Sequence, residues 1–240
     1  MIQPDASILI KIAGIKTNLV GFYDAPDPTC FEPLAIPKPD TRVCVFAFYK
    51  AWLKGETLHL TADNYGCGGA ANSLFNIQTR SREDFVKFLA DEEGLRASHD
   101  LVNQWLDQRK PYQPQHKNIL IGPLNKDMYQ YLKTVTFFVN PDQMSLLMTG
   151  AYYHSSPDDA APVIASFGSG CMELVAAFID LEAPQATIGA TDIAMRQYLL
   201  PDILAFTVTR PMFERLCSLD QKSFLYKPFW KRLQKARGLS

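Results

Sequence analysis

Two short segments combine the residue types that small-molecule chemistry uses most. Gly66-Cys67-Gly68-Gly69 follows an alternating apolar run, and Gly168-Ser169-Gly170-Cys171 follows another; each is trailed by an apolar stretch of helical character. A strand running through a glycine-rich turn into a helix presents backbone N–H groups at the positive end of the helix dipole, a geometry that suits anions. Glycine permits positive φ and lets a ligand approach the main chain. A cysteine in such a turn has its thiolate favoured by the same dipole. The pair of loops therefore fits an anionic ligand, a nucleophilic thiolate or a metal ion. The plain alternative is that the glycines make tight turns and the cysteines fill small gaps, as free cysteine often does. Neither loop carries the Gly-Lys-Ser/Thr of a P-loop or a dinucleotide G-x-G-x-x-G pattern.

Other candidates are weaker. Cys44, Cys67 and Cys171 form a metal or iron–sulfur set if the two loops converge, with His59 or His154 as a fourth ligand or as a catalytic base, but no two cysteines have ligand spacing. The five cysteines (Cys30, Cys44, Cys67, Cys171, Cys217) are odd in number and scattered, which points to reduced thiols and a cytoplasmic location rather than a disulfide framework. Asn140, Asp142 and Gln143 read as helix-capping residues, and Glu173 as an acid complementing a helix dipole or serving the site. Asp192 and Arg196, four apart, suit a helical ion pair. The segment 221–240 is basic and aromatic. It reads as a docked terminal helix or, alternatively, as an interaction surface for RNA or anionic lipid.

The elements that must position these residues follow from periodicity and punctuation. Ser7–Ile15 reads as a strand, the Pro-rich Asp24–Asp40 as loop, Cys44–Leu53 as a buried helix stopped at Gly55, and Thr57–Ala62 as a half-buried strand. Ser81 and Ser98 open two surface helices, ending near Gly94 and Pro111. Lys110–Lys117 reads as a connection, and Asn118–Leu124 and Thr134–Val139 as strands. Asn140-Pro141-Asp142-Gln143 then starts a helix over Pro141–Tyr153. Val163–Phe167 is a strand, followed by a helix to about Leu181. Ala186–Gly189 is another strand, Thr191 caps a helix over Asp192–Leu199, Ile203–Thr209 is a strand, and Pro211 opens a last helix through Leu216.

The surroundings of the two loops echo each other. Phe48-Tyr49 precedes Cys67 as Tyr152-Tyr153 precedes Cys171, 18 residues in both cases, and the loops themselves stand 104 apart. The chain is thus expected to be one compact α/β domain, with a mixed α+β arrangement as the variant. It is built from β–Gly/Cys loop–α units in two similar halves, 1–110 and 118–220, before the 221–240 tail.

Composition bounds the function classes. Of 240 residues 47% are hydrophobic, enough for a sizeable core, and 24 Lys plus Arg balance 25 Asp plus Glu. That near-neutral balance speaks against a nucleic-acid partner. No apolar run approaches the roughly 20 residues of a membrane span. Met-Ile-Gln-Pro-Asp-Ala has no basic n-region, and Lys11 interrupts Ile8–Ile15, so no secretory signal is expected.

From about Arg42 to Leu219 the chain resembles the prokaryotic domain of unknown function family 169, also labelled ArCR. The likeness lies in Cys44 before a helix ending Lys54-Gly55-Glu56, in Leu60-Thr61 followed by Cys67-Gly68-Gly69-Ala70, in Gly122-Pro123-Leu124 and in Asn140-Pro141-Asp142-Gln143-Met144. It continues in Cys171, Ile188-Gly189 and Leu199–Thr209. The resemblance implies a further cysteine after Gly189, where this chain has Ala190, and it carries no established activity. The function expected from the sequence is that of a binding protein for a small anionic molecule held between Gly66–Gly69 and Gly168–Cys171. The sequence names no cofactor. The enzyme alternative is a thiol- or metal-dependent catalyst on Cys44, Cys67 and Cys171.

Overall fold

The computed structural model describes residues 3–31, 34–35, 43–165, 167–175 and 180–238. Ser7–Ala13 is a helix, α1, and not the expected strand. Its buried residues are Leu9 and Ala13, four apart, while Ile8 is exposed, and it stops at Gly14 in the left-handed conformation (φ 65°). The strand lies just beyond, at β1 (Val20–Ala25), where the sequence reading had no element before Asp24. All six residues of β1 are buried. The Pro-rich segment holds a short 3-10 turn at Thr29–Phe31 and a two-residue strand, β2 (Leu34–Ala35); its residues 32–33 and 36–40 lie outside the described ones.

Val45–Phe48 is a 3-10 turn running into α2 (Tyr49–Leu53), and Thr57–Leu60 is β3. Next come α3 (Gly68–Phe75), α4 (Arg82–Lys87) with a π-turn over Phe88–Glu92, and α5 (His99–Gln108). Ser81 and Ser98 accept the capping N–H bonds of α4 and α5 as their spacing suggested. β4 (Asn118–Pro123) and β5 (Leu132–Val139) lead to α6 (Pro141–Tyr152), whose Asn140/Gln143 capping box is fully formed. β6 (Val163–Ala165), α7 (Gly170–Leu174), β7 (Ala186–Gly189), β8 (Leu204–Thr209), α8 (Arg210–Cys217) and α9 (Pro228–Ala236) complete the fold. Residues 176–179, within the helix expected to reach Leu181, are outside the described set. Asp192–Leu199 is not a helix but a turn with a 3-10 segment at Arg196–Tyr198. The Arg196 guanidinium donates to the carbonyls of Ala190, Leu200, Pro201 and Ile203 rather than pairing with Asp192.

The fold is mixed α/β. Eight strands form one sheet in the order β2-β3-β4-β1-β5-β8-β7-β6. Neighbours are antiparallel except at the edges, where β2 runs parallel to β3 and β6 to β7. The order reads alike from both edges. It matches β2 with β6 and β3 with β7, so the segment after β2, which holds Cys44, corresponds to the one after β6, which holds Cys171. The 104-residue echo instead sets the loop after β3 beside the loop after β6. A division by strand order would fall between β4 and β5.

Because successive strand residues face opposite ways, the sheet feeds two cores. Tyr23, Val135, Phe137, Phe206 and Val208 pack with α1, α6, α8 and α9. Phe22, Leu58, Leu60, Ile121 and Phe138 pack with α2, α3 and α7. The terminal helix is tied to the first: Trp230 Nε1 and Gln234 Nε2 both donate to the Ile12 carbonyl, and Arg237 pairs with Asp142 on α6. Of the tail's aromatics Trp230 is buried, Phe224 and Tyr226 pack partly, and Phe229 is exposed.

Candidate functional site

The second core carries the site. Cys67 is the N-cap residue of α3, in extended conformation. Gly66 before it has φ 83°, and a Cβ there would stand 2.8 Å from the Val43 carbonyl oxygen. Only glycine fits a left-handed backbone that close to another chain segment. This contact draws the segment of Cys44 toward the loop. On the other side, Ser169 is the N-cap residue of α7 and Cys171 lies in its first turn. Gly168 (φ 152°) and Gly170 leave room for Trp105, Met172 and Phe46: a Cβ at 168 would be 3.0 Å from Met172 Sδ and from the Trp105 ring, and one at 170 only 2.5 Å from Phe46.

α3 and α7 pack together, and their first turns meet. A Cβ at Gly69 would lie 3.7 Å from Cys67 Sγ and 3.8 Å from Ser169. The Cys171 thiol donates a hydrogen bond to Cys67 Sγ, which also receives backbone N–H groups of Ala70 and Gly69. With the Cys171 donor as the largest cause, Cys67 falls to a pKa of about 6 in spite of its burial. Donating to that sulfur, and burial at 3% exposure, drive Cys171 well above the ordinary thiol range. Burial, with the Cys67 charge nearby, pushes Cys44 up to about 11.

These residues floor a cavity of about 710 Å³. Of the eight loop residues singled out from sequence, seven line it together with Cys44; Gly66, against the Val43 carbonyl, is not in the lining. The aromatic wall comes from residues that sequence reasoning assigned to surface helices: Phe85 on α4, Phe88 in the π-turn after it and Trp105 on α5, faced by Phe167. Arg96 braces the rim from outside, its guanidinium carbon 4.1 Å from the Phe167 ring centre.

Arg109, just past α5, also lines the cavity. Its Nη1 donates to Met172 Sδ at 3.6 Å, while its buried Nε has no partner. Among the described residues no carboxylate lies within ion-pair distance of it, whereas neighbouring Arg82 is paired with Asp107 at 2.7 Å. Burial, with the Arg82 charge as a second cause, lowers Arg109 to about 10. The side chains of Asn72 and Ser73, on α3 and also in the lining, each hold a buried oxygen without a partner. Arg109 and Trp105 stand four apart at the end of an amphipathic helix, the one sequence signal that they share a face.

The remaining candidates fall outside the cavity. His59 Nε2 bonds Asn118 Oδ1 at 2.9 Å, and His154 stacks edge-on to Tyr153. Neither can act as a base for Cys67 from there. Among the described residues no three His, Cys, Asp or Glu side chains are arranged to hold a metal ion, so Cys44, Cys67 and Cys171 converge on one hollow without forming a ligand set. Glu173 is buried on α7, where its carboxylate accepts from the Ala190 N–H and the Thr191 hydroxyl and so ties down the loop after β7. Burial raises it to about 7. Ala190 is fully buried beside it and is not in the cavity lining.

No helix among the described residues is long and apolar enough to cross a membrane. No curated protein and no solved structure matches the chain. A family model does, over residues 8–218, so the relationship takes in α1 and β1 as well as the segment from Arg42 onward that carries the visible motifs. The chain belongs to domain of unknown function family 169, described as uncharacterised ArCR.

Proposed function

We propose that this protein binds a small molecule with a flat apolar body and one anionic group, held in the cavity between the Gly66–Gly69 and Gly168–Cys171 loops. The observation that carries the reading is Arg109: a half-buried guanidinium, lining a hollow, with an unpartnered Nε and, among the described residues, no carboxylate within ion-pair distance. A buried cation is costly unless a counter-charge meets it, and a ligand anion supplies one by charge-assisted hydrogen bonds. Trp105, Phe85, Phe88 and Phe167 offer faces for an apolar ring, and the volume lies in the range of small-molecule sites. The unpartnered oxygens of Asn72 and Ser73 would accept from donors on the ligand.

Anilinonaphthalene sulfonate has this outline, and N-phenylnaphthylamine is its counterpart without the sulfonate. Fluorescence titration should give one sulfonate probe per chain. Arg109→Gln should weaken it about tenfold, the worth of one charge-assisted contact, and leave the neutral probe nearly unchanged. Equal loss for both probes, or none for either, would contradict the reading.

A further inference from the structure

We propose that Cys67 and Cys171 form a reactive dithiol that reduces small disulfides entering the cavity, with Cys67 attacking and Cys171 resolving. The proposal goes beyond the binding reading and does not use Arg109. It rests on an arrangement of two thiols: Cys67 caps α3 and Cys171 lies in the first turn of α7, the two helices pack on each other so closely that a Cβ at Gly69 would be 3.7 Å from Cys67 Sγ and 3.8 Å from Ser169, and both cysteines line one hollow. Their accessibility differs in the way the two roles require. Cys67 is partly exposed and lines the hollow, while Cys171 is 3% exposed, so an incoming disulfide meets Cys67 first.

The Cys67 thiolate attacks one sulfur of R–S–S–R, forming Cys67–S–S–R and expelling R–S⁻. The Cys171 thiol, whose hydrogen bond to the Cys67 lone pair ends when that sulfur is alkylthiolated, gives its proton to the departing R–S⁻. Its sulfur then displaces the second R–S⁻ from Cys67. The protein dithiol is oxidised to a Cys67–Cys171 disulfide by two electrons, and R–S–S–R is reduced to two thiol equivalents. The low pKa of Cys67 supports its part as attacking group at neutral pH, and its bonds to the Gly69 and Ala70 amides hold the charge. Cys44 lines the same hollow, but its raised pKa keeps it protonated.

The test uses the full reduced chain and hydroxyethyl disulfide, an uncharged probe, so that its outcome is independent of any anion site. After reaction at neutral pH, remaining thiols are blocked and the chain is mapped by peptide mass spectrometry. The wild type should show a Cys67–Cys171 link and release two mercaptoethanols per link, beyond the one released for each adduct on exposed Cys30. Cys171→Ser should stop at a hydroxyethylthio adduct on Cys67 and release one, a twofold difference. Cys44→Ser should link as the wild type does. A persistent adduct on Cys67 in the wild type, a link to Cys44 instead, or no modification of Cys67 under conditions that label exposed Cys30 would each overturn the proposal. The wild-type map decides the matter even if a variant fails to fold.

Discussion

The thiol of Cys171 gives its hydrogen to the sulfur of Cys67, a residue 104 positions earlier in sequence, where the starts of two packed helices are adjacent in space. Two titrating groups therefore share one proton unequally. Cys67 is held toward thiolate and Cys171 toward thiol, because each arrangement stabilises the other.

The first consequence is a distinctive pH profile. Iodoacetamide labelling of Cys67, followed peptide by peptide, should rise with a midpoint near the pKa of about 6 and be flat through neutrality. In Cys171→Ala the largest lowering cause is gone and the midpoint should move upward. A wild-type midpoint at the ordinary thiol value of about 8.5 would contradict the shared-proton arrangement.

Glu173 should leave a mark on stability of opposite sense. Its folded-state pKa of about 7 lies above the ordinary value of 4.5, so its stabilising contribution is complete below that lower value and lost as pH rises through 7. The gap corresponds to about 3 kcal/mol. In urea denaturation Glu173→Gln should gain on the wild type by about that amount between pH 4.5 and 8. Cys67, stabilising above its unfolded pKa and losing that effect as pH falls through 6, is common to both proteins and cancels in the difference. Parallel pH curves would show that the carboxyl is not held against its charge.

Asp24 is the buried hub of the central strand. It accepts from the Tyr112 hydroxyl at 2.6 Å, from the N–H groups of Gln115 and His116 and from the His116 ring, which pins the α5–β4 connection to β1. Asp24→Ala orphans several donors at once and should cost about 3 kcal/mol or more by urea titration. A loss below about 1 kcal/mol would mean that water replaces the carboxylate without difficulty.

The two loops should respond unequally to a single added methyl group. Gly170→Ala drives a Cβ to 2.5 Å from the fully buried Phe46 ring and should destabilise by about 1–3 kcal/mol. Gly69→Ala meets its neighbours at ordinary contact distance inside a helix, so its stability should be within about 0.5 kcal/mol of the wild type or above it. Thermal unfolding of both variants checks the contrast, and equal losses would mean that the α3–α7 contact is tighter than described.

How much of this was legible beforehand depended on whether the signal was local. The capping box at Asn140–Gln143, the serine caps of α4 and α5 and the alternation of Thr57–Leu60 are set by neighbouring residues, and each formed where its pattern placed it. The convergence of the two cysteine loops followed from glycine-rich turns ahead of apolar helices, a weak pattern that gained weight by occurring twice. What stayed hidden was set at a distance. Ile8, Ile10 and Ile12 alternate like a strand, yet packing against α8 and hydrogen bonds from Trp230 and Gln143 hold the segment as helix. β1 was masked by Gly21 and by an aspartate that is acceptable inside a sheet only because residues 112–116 supply its donors. Arg109 looks like an ordinary helix-end cation until Met172 and Phe85 close around it.

The central claim is that a ligand sits in the hollow floored by Cys67. The most direct measurement is the rate at which iodoacetamide labels Cys67 with and without saturating anilinonaphthalene sulfonate, with Cys30 as internal reference on the same chain. Occupancy of this cavity predicts that the probe slows Cys67 about tenfold or more, the fold set by fractional occupancy, while Cys30 is unaffected. Tight, one-to-one probe binding with Cys67 labelled at the same rate would place the ligand elsewhere and contradict the account.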